Sequence, residues 1–156
     1  MIVNISIDKK TVYDELSKTT EYTGAKMDND ANAFERIMAT DENLTDMDRF
    51  WQESAARATD ALKTMLVKGA DPLAVNYDIS LELSASFDPC LIPSVTAALK
   101  SFFVKSMAAK WYDYTNKSES GSYYRGAEEM LLEAIRKLYS RRRPRSPRKY
   151  QKENIE

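Results

Sequence analysis

Histidine is absent from this 156-residue chain, cysteine occurs once, and glycine and proline number only 4 and 5. Without histidine the chain lacks the commonest general base and metal ligand near neutral pH. The lone Cys90 excludes an internal disulfide framework and a cysteine-rich zinc site. Scarce glycine and proline disfavour an architecture of many short strands joined by tight turns. The patterns G-x-x-x-x-G-K-S/T, G-x-G-x-x-G and G-x-S-x-G do not occur, so phosphate-loop, dinucleotide and hydrolase chemistry have no signature here. The longest apolar region, Val95 to Tyr114, is interrupted by Lys100, Lys105 and Lys110, which argues against a membrane span. The opening MIVNISIDKK has no basic lead before its apolar residues and does not read as a secretory signal. The expectation is a soluble protein made inside the cell, not an enzyme, with no catalytic residue, cofactor or metal and no membrane partner.

What is present fits one globular unit: 43% hydrophobic and 30% charged residues, in a chain long enough to bury roughly two thirds of its unfolded surface. The formal net charge of −1 conceals an asymmetry. Residues 141–156 carry seven Lys or Arg against two Glu, a balance of +5, which leaves −6 on the preceding 140 residues. The division expected is a single helical domain over residues 1–140 and a basic, Pro/Arg-rich tail over 141–156. Pro144 and Pro147 keep that tail extended or irregular.

Periodicity supplies the elements. Val3, Ile5 and Ile7 alternate with Asn4, Ser6 and Asp8, the pattern of a short half-buried strand. Asp8 can then cap a helix that turns Val12, Tyr13, Leu16 and Thr20 inward and stops near Gly24. Thr40, Asp41 and Glu42 favour the start of a long helix, with Leu44, Met47, Trp51, Ala55, Ala58, Leu62 and Met65 as one stripe persisting to about Val67. From Val75 to Ala85 the period becomes two, predicting a strand that pairs with the N-terminal one or with another subunit. Asp88 and Pro89 form a cap and first turn, with Pro93 delaying the regular helix, which carries Val95, Leu99, Phe102, Phe103, Met107, Trp111 and Tyr114 inward. After a polar loop, NKSESGS, a last helix presents Tyr124, Ala127, Leu131, Ile135 and Leu138. The fold class expected is mainly α: about four helices, a small two-stranded β element and an extended basic C-terminal tail.

Candidate sites are few. Asp28, Asp30 and Asn32 match the first ligands of a calcium loop, but Ala33 and Ala39 stand where glycine and glutamate are required, so helix capping is the better account. Cys90 lies near a helix start without any histidine to activate it and reads as a packed small hydrophobe. Glu128, Glu129 and Glu133 read as solvated charges rather than a carboxylate pair. Trp111, Tyr112, Tyr114, Tyr123 and Tyr124 gather around one loop; some belong to the core and others can anchor a protein contact. Arg141, Arg142, Arg143, Arg145, Arg148 and Lys149 can meet phosphate or carboxylate, or simply solubilise the end of the chain. Without interleaved aromatics they suit nonspecific backbone contact, not base reading.

The segments TVYDELSKTTEYTGAKM, FERIMATDENLTDMDRFWQESAARATDALKTML and WYDYTNK with YYRGAEEMLLEAIRKLYSRRRP resemble small structural proteins of tailed bacteriophages. In broader outline the layout is similar to the helical head–tail connector, or head-completion and neck, proteins. The resemblance implies a homo-oligomeric ring of about a dozen copies around the DNA channel, between portal and tail or neck proteins. It places the protein in the neck of the virion, with nonspecific contact to packaged DNA open to the basic tail. The strand from Val75 to Ala85 is longer than an all-helical connector requires, which leaves another neck or tail-completion role open. A different reading is a small nucleic-acid-associated accessory protein whose helical body dimerises and whose arginine tail holds the phosphate backbone.

Overall fold

A computed structural model describes residues 1–25, 44–71, 74–115 and 117–141. The possible calcium-loop residues Asp28, Asp30 and Asn32, the capping segment at Thr40 to Glu42 and the tail beyond Arg141 lie outside the described residues. The fold is mainly α, with four helices and a small sheet among the described residues.

Strand β1 (Ile2–Ile7) buries Val3, Ile5 and Ile7, as its alternation predicts. Helix α1 (Lys9–Ala25) follows at once, because Asp8 caps it: one carboxylate oxygen accepts from the Lys10 N–H at 3.2 Å and the other from the Thr11 hydroxyl at 2.8 Å. Val12, Leu16 and Thr20 face inward, and the buried Thr20 hydroxyl is satisfied by the Leu16 carbonyl at 3.0 Å.

Helix α2 (Leu44–Leu62) buries Met47, Phe50, Trp51, Ser54, Ala58 and Leu62. Two expectations fail here. Leu44 is 45% exposed, and the helix stops at Leu62 instead of running to Val67. Leu66–Lys68 forms strand β2, which pairs with β3 (Tyr77–Glu82), and the Met65 carbonyl accepts from the Glu82 N–H at 2.7 Å. The sheet is therefore three-stranded, not two-stranded, in the order β1-β3-β2 and antiparallel throughout. The central strand needs hydrogen-bond partners on both edges, and that need overrides the helical period of residues 63–67. β1 and β3 pair within one chain, Val3 opposite Leu81 and Ile5 opposite Ile79.

The Asp88 side chain accepts from the Cys90 N–H at 3.0 Å and opens a single 3-10 turn, Pro89–Leu91, ahead of helix α3 (Ile92–Thr115). Cys90 sits exposed on that turn, so its expected role as a packed core residue is corrected. α3 buries eleven residues on more than one side, including Ala98, Ser106, Ala108 and Ala109, whose small side chains let neighbouring helices approach closely. Its length and composition would suffice to cross a bilayer, but here it is the central helix, packed against α1, α2, β1 and α4. Helix α4 (Lys117–Tyr139) returns antiparallel along α3 and starts at the second residue of NKSESGS, so that segment is the first turns of a helix and not the loop expected; Ala127, Leu131, Ala134 and Leu138 are buried along it.

The centre of the core is aromatic. Phe103 meets Trp51 at 4.6 Å between centroids, Tyr77 at 5.1 Å and Phe102 at 5.6 Å. It joins α2, α3 and β3, and burying such a side chain stabilises the fold by roughly 2–3 kcal/mol. Two polar ties cross the helices: Ser54 donates to Ser106 at 2.9 Å in the interior, and Arg57 grips Glu128 with two bonds of 3.1 and 2.8 Å at the surface. Glu128 is thus an ion-pair partner of α2 rather than a merely solvated charge.

Candidate interaction site at the two ends of the helical hairpin

The five aromatic candidates separate into core and surface. Tyr112 and Tyr114 are two residues apart on α3, about 200° around the axis, so both cannot face the same neighbour. Trp111 and Tyr112 are buried, and the Tyr112 hydroxyl donates to the Thr19 carbonyl of α1 at 3.3 Å. Neither is free to anchor a partner in this fold. Tyr123 is half-buried, with its ring 5.0 Å from that of Tyr112.

Tyr114 and Tyr124 reach the surface. Tyr114, expected inward, is 68% exposed, lies on Phe50 of α2 and accepts a hydrogen bond from Arg49 at 3.0 Å. The Arg49 guanidinium also sits 5.2 Å from the Phe50 ring centre. Tyr124 is 39% exposed and donates to Asp113 at 2.7 Å. Burial, then the hydrogen bond and charge of Asp113, push its phenol up to about 12, so it remains a neutral donor at physiological pH. Lys110, 6.0 Å from the Tyr124 ring centre, is tied to Glu53 at 3.1 Å. This end of the bundle therefore presents two tyrosines and an arginine held in place by hydrogen bonds and ring contacts. Such side chains contribute contact area with little further loss of rotamer freedom on binding.

At the opposite end α4 delivers the chain toward its basic segment. A helix of 23 residues is about 34 Å long. Tyr139 shares a hydrogen bond with Thr64 after α2, at 3.2 Å, and Ser140 caps the Lys137 carbonyl through its N–H at 3.1 Å and its hydroxyl at 2.7 Å. Lys137 is engaged by Ser94 at 2.6 Å and Glu133 at 2.8 Å, and that hydrogen bond and charge hold the Glu133 carboxyl below its ordinary value. Arg136 and Arg141 are exposed. Arg142, Arg143, Arg145, Arg148 and Lys149 lie outside the described residues.

The structure adds features the sequence did not single out. Phe50 belongs to the core three residues after Met47, a spacing that could have revealed it. Arg49, Glu53 and Asp113 join the aromatic end through contacts between helices, which leave no local signal. A cleft of about 860 Å³ opens between α2 and the segment following β2, floored by Trp51, Ala55 and Tyr77 and rimmed by Lys9, Asp60 and Lys63. Among the described residues no three His, Cys, Asp or Glu side chains gather as a metal site. Comparisons of the chain with family models, with curated proteins and with solved structures find no match.

Proposed function

We propose that the protein is a non-enzymatic virion assembly component, a head–tail connector or neck subunit that bridges portal and tail around the DNA channel as part of a homo-oligomeric ring. The observation that supports this reading is the bipolar layout. A preorganised patch of Tyr114, Tyr124 and Arg49 lies toward one end of the α3–α4 hairpin, and the chain leaves for its net +5 segment at the other end of α4, about 22 Å along the helix from Tyr124. A bridging subunit needs two separated contacts of different chemistry. In this reading the aromatic end meets a protein neighbour, and the arginines reach an acidic protein face or the packaged DNA.

The test is mass spectrometry of purified particles from an induced host that carries the gene, with copy number measured against the portal protein. A portal-like copy number is expected. Absence from particles that package and infect normally would overturn the reading.

The positive charge concentrated in residues 141–156 also favours a second reading, an accessory protein that holds nucleic acid by its phosphates. In that case affinity falls steeply with salt, and removing residues 141–156 flattens the slope of log K against log salt concentration.

A further inference from the structure

Among the described residues the sheet has two open edges, and they are unlike. β2 is three residues long, carries a register irregularity between Leu66 and Lys68, and ends on an exposed lysine. Shortness, a bulge and a lysine are the features that keep sheet edges from pairing. β1 is six residues long, IVNISI, with no charge, no proline and no irregularity in its ladder with β3.

The hydrogen-bond phase of β1 can be read directly. Met1 and Leu83 exchange two bonds, of 2.8 and 2.9 Å. Alternation in an antiparallel ladder then aims the backbone groups of Val3, Ile5 and Ile7 at β3 and those of Ile2, Asn4 and Ser6 at the open edge. Among the described residues no strand lies on that side. The side chains of Ile2, Asn4 and Ser6 are exposed, and no charged side chain on the strand stands over these donors and acceptors.

We propose that β1 is the docking edge for a second copy of this chain, the two β1 strands pairing antiparallel about a two-fold axis into one continuous six-stranded sheet. One register uses every outward-facing group: Asn4 opposite Asn4 of the second copy, and Ile2 opposite Ser6 of the second copy, each pair exchanging two bonds. The same register sets Val3 beside Ile5 of the second copy on the inner face, a β-branched pair of the kind that stabilises neighbouring strands. The second copy is favoured as the occupant because the strand complements itself: its donors and acceptors repeat at the same spacing in both copies, and no like charges are brought together. The pairing rests on the geometry of β1 alone and not on the assembly reading. An isologous contact closes as a pair, so a ring would need a second interface, for which the aromatic end remains available.

Sedimentation equilibrium of the full chain tests this with two variants. Ser6→Pro removes an outward N–H without touching the bonds to β3, and it should raise the dimer dissociation constant at least tenfold. In a Cys90→Ser background, Asn4→Cys should form a disulfide-linked dimer on mild oxidation, because paired strands bring those Cα atoms to about 5.5 Å. Asp78→Cys, exposed on the central strand, should not. A wild-type chain that stays monomeric up to about 200 µM, far above the micromolar range of specific association, with no more Asn4→Cys than Asp78→Cys product, overturns the proposal. So does an oligomer in which Asn4→Cys is not trapped, whether or not Ser6→Pro folds.

Discussion

Tyr114 lies nearly parallel to Phe50, with ring centres 5.9 Å apart and an interplanar angle of 22°, although Phe50 is only 2% exposed and Tyr114 is 68% exposed. The core of the bundle thus continues outward into its surface at this end. Phe50→Ala should destabilise by about 3–5 kcal/mol, as expected for an aromatic removed from a packed interior. Tyr114→Ala should cost under about 1 kcal/mol in the isolated protein, since it gives up one ring contact and one exposed hydrogen bond. Urea unfolding of both variants measures the difference. Equal losses would mean that Tyr114 is part of the core and not a surface available to a partner.

Ser54 and Ser106 satisfy one another inside the α2–α3 contact at 2.9 Å. Replacing Ser106 alone by alanine strands the Ser54 hydroxyl and should cost about 1–3 kcal/mol. Replacing both should recover much of that loss, because alanine is nearly isosteric and leaves nothing unpaired. A double-mutant cycle by denaturant unfolding gives the coupling; additive losses would show that the pair contributes no mutual stabilisation.

Asp48 accepts a hydrogen bond from the Tyr13 hydroxyl and pairs with Lys9 at 2.8 Å, tying α2 to α1. Desolvation acts upward on its carboxyl, but the hydrogen bonds from Lys9 and Tyr13, with the Lys9 charge, hold it below its ordinary value. The folded chain then binds this proton less readily than the unfolded chain, so the contribution to stability is present above about pH 4 and is lost as pH falls through the folded-state value. Unfolding midpoints between pH 2.5 and 5.5 should fall less steeply for Asp48→Asn than for the wild type. Parallel curves would remove Asp48 from the acid response.

Gly121 lies in the second turn of α4, and a methyl group added there meets nothing within 4 Å. Gly121→Ala should therefore stabilise the protein by about 0.4–1 kcal/mol, through helix propensity and a less flexible unfolded chain. A thermal melt decides it. A neutral result would point to the loop that residues 116–122 suggest by composition, and against a helix that begins at Lys117.

Much of the local architecture was legible in the sequence because each signal was carried by residues close together. The alternation of Val3, Ile5 and Ile7, the caps Asp8 and Asp88, and the i, i+3 and i+4 spacings of Met47, Trp51, Ala58 and Leu62 each specify an element and its buried face without help from elsewhere. Of the candidate site, the sequence marked the aromatic residues at the α3–α4 turn and the charge at the C-terminus. It could not divide Tyr112 from Tyr114, since both are compatible with a helix surrounded on several sides and only the positions of α1 and α2 determine which flank is covered.

Tertiary structure decided the remainder for the same reason. Leu66–Lys68 became a strand because β3 offers an edge to pair with, which outweighs the helical period of the preceding residues. Lys117 begins a helix because α4 packs along α3, overriding the loop-like composition of NKSESGS. Periodicity along a chain reports which face is apolar; which neighbour covers that face depends on contacts between residues far apart in sequence, and these exist only once the chain has folded.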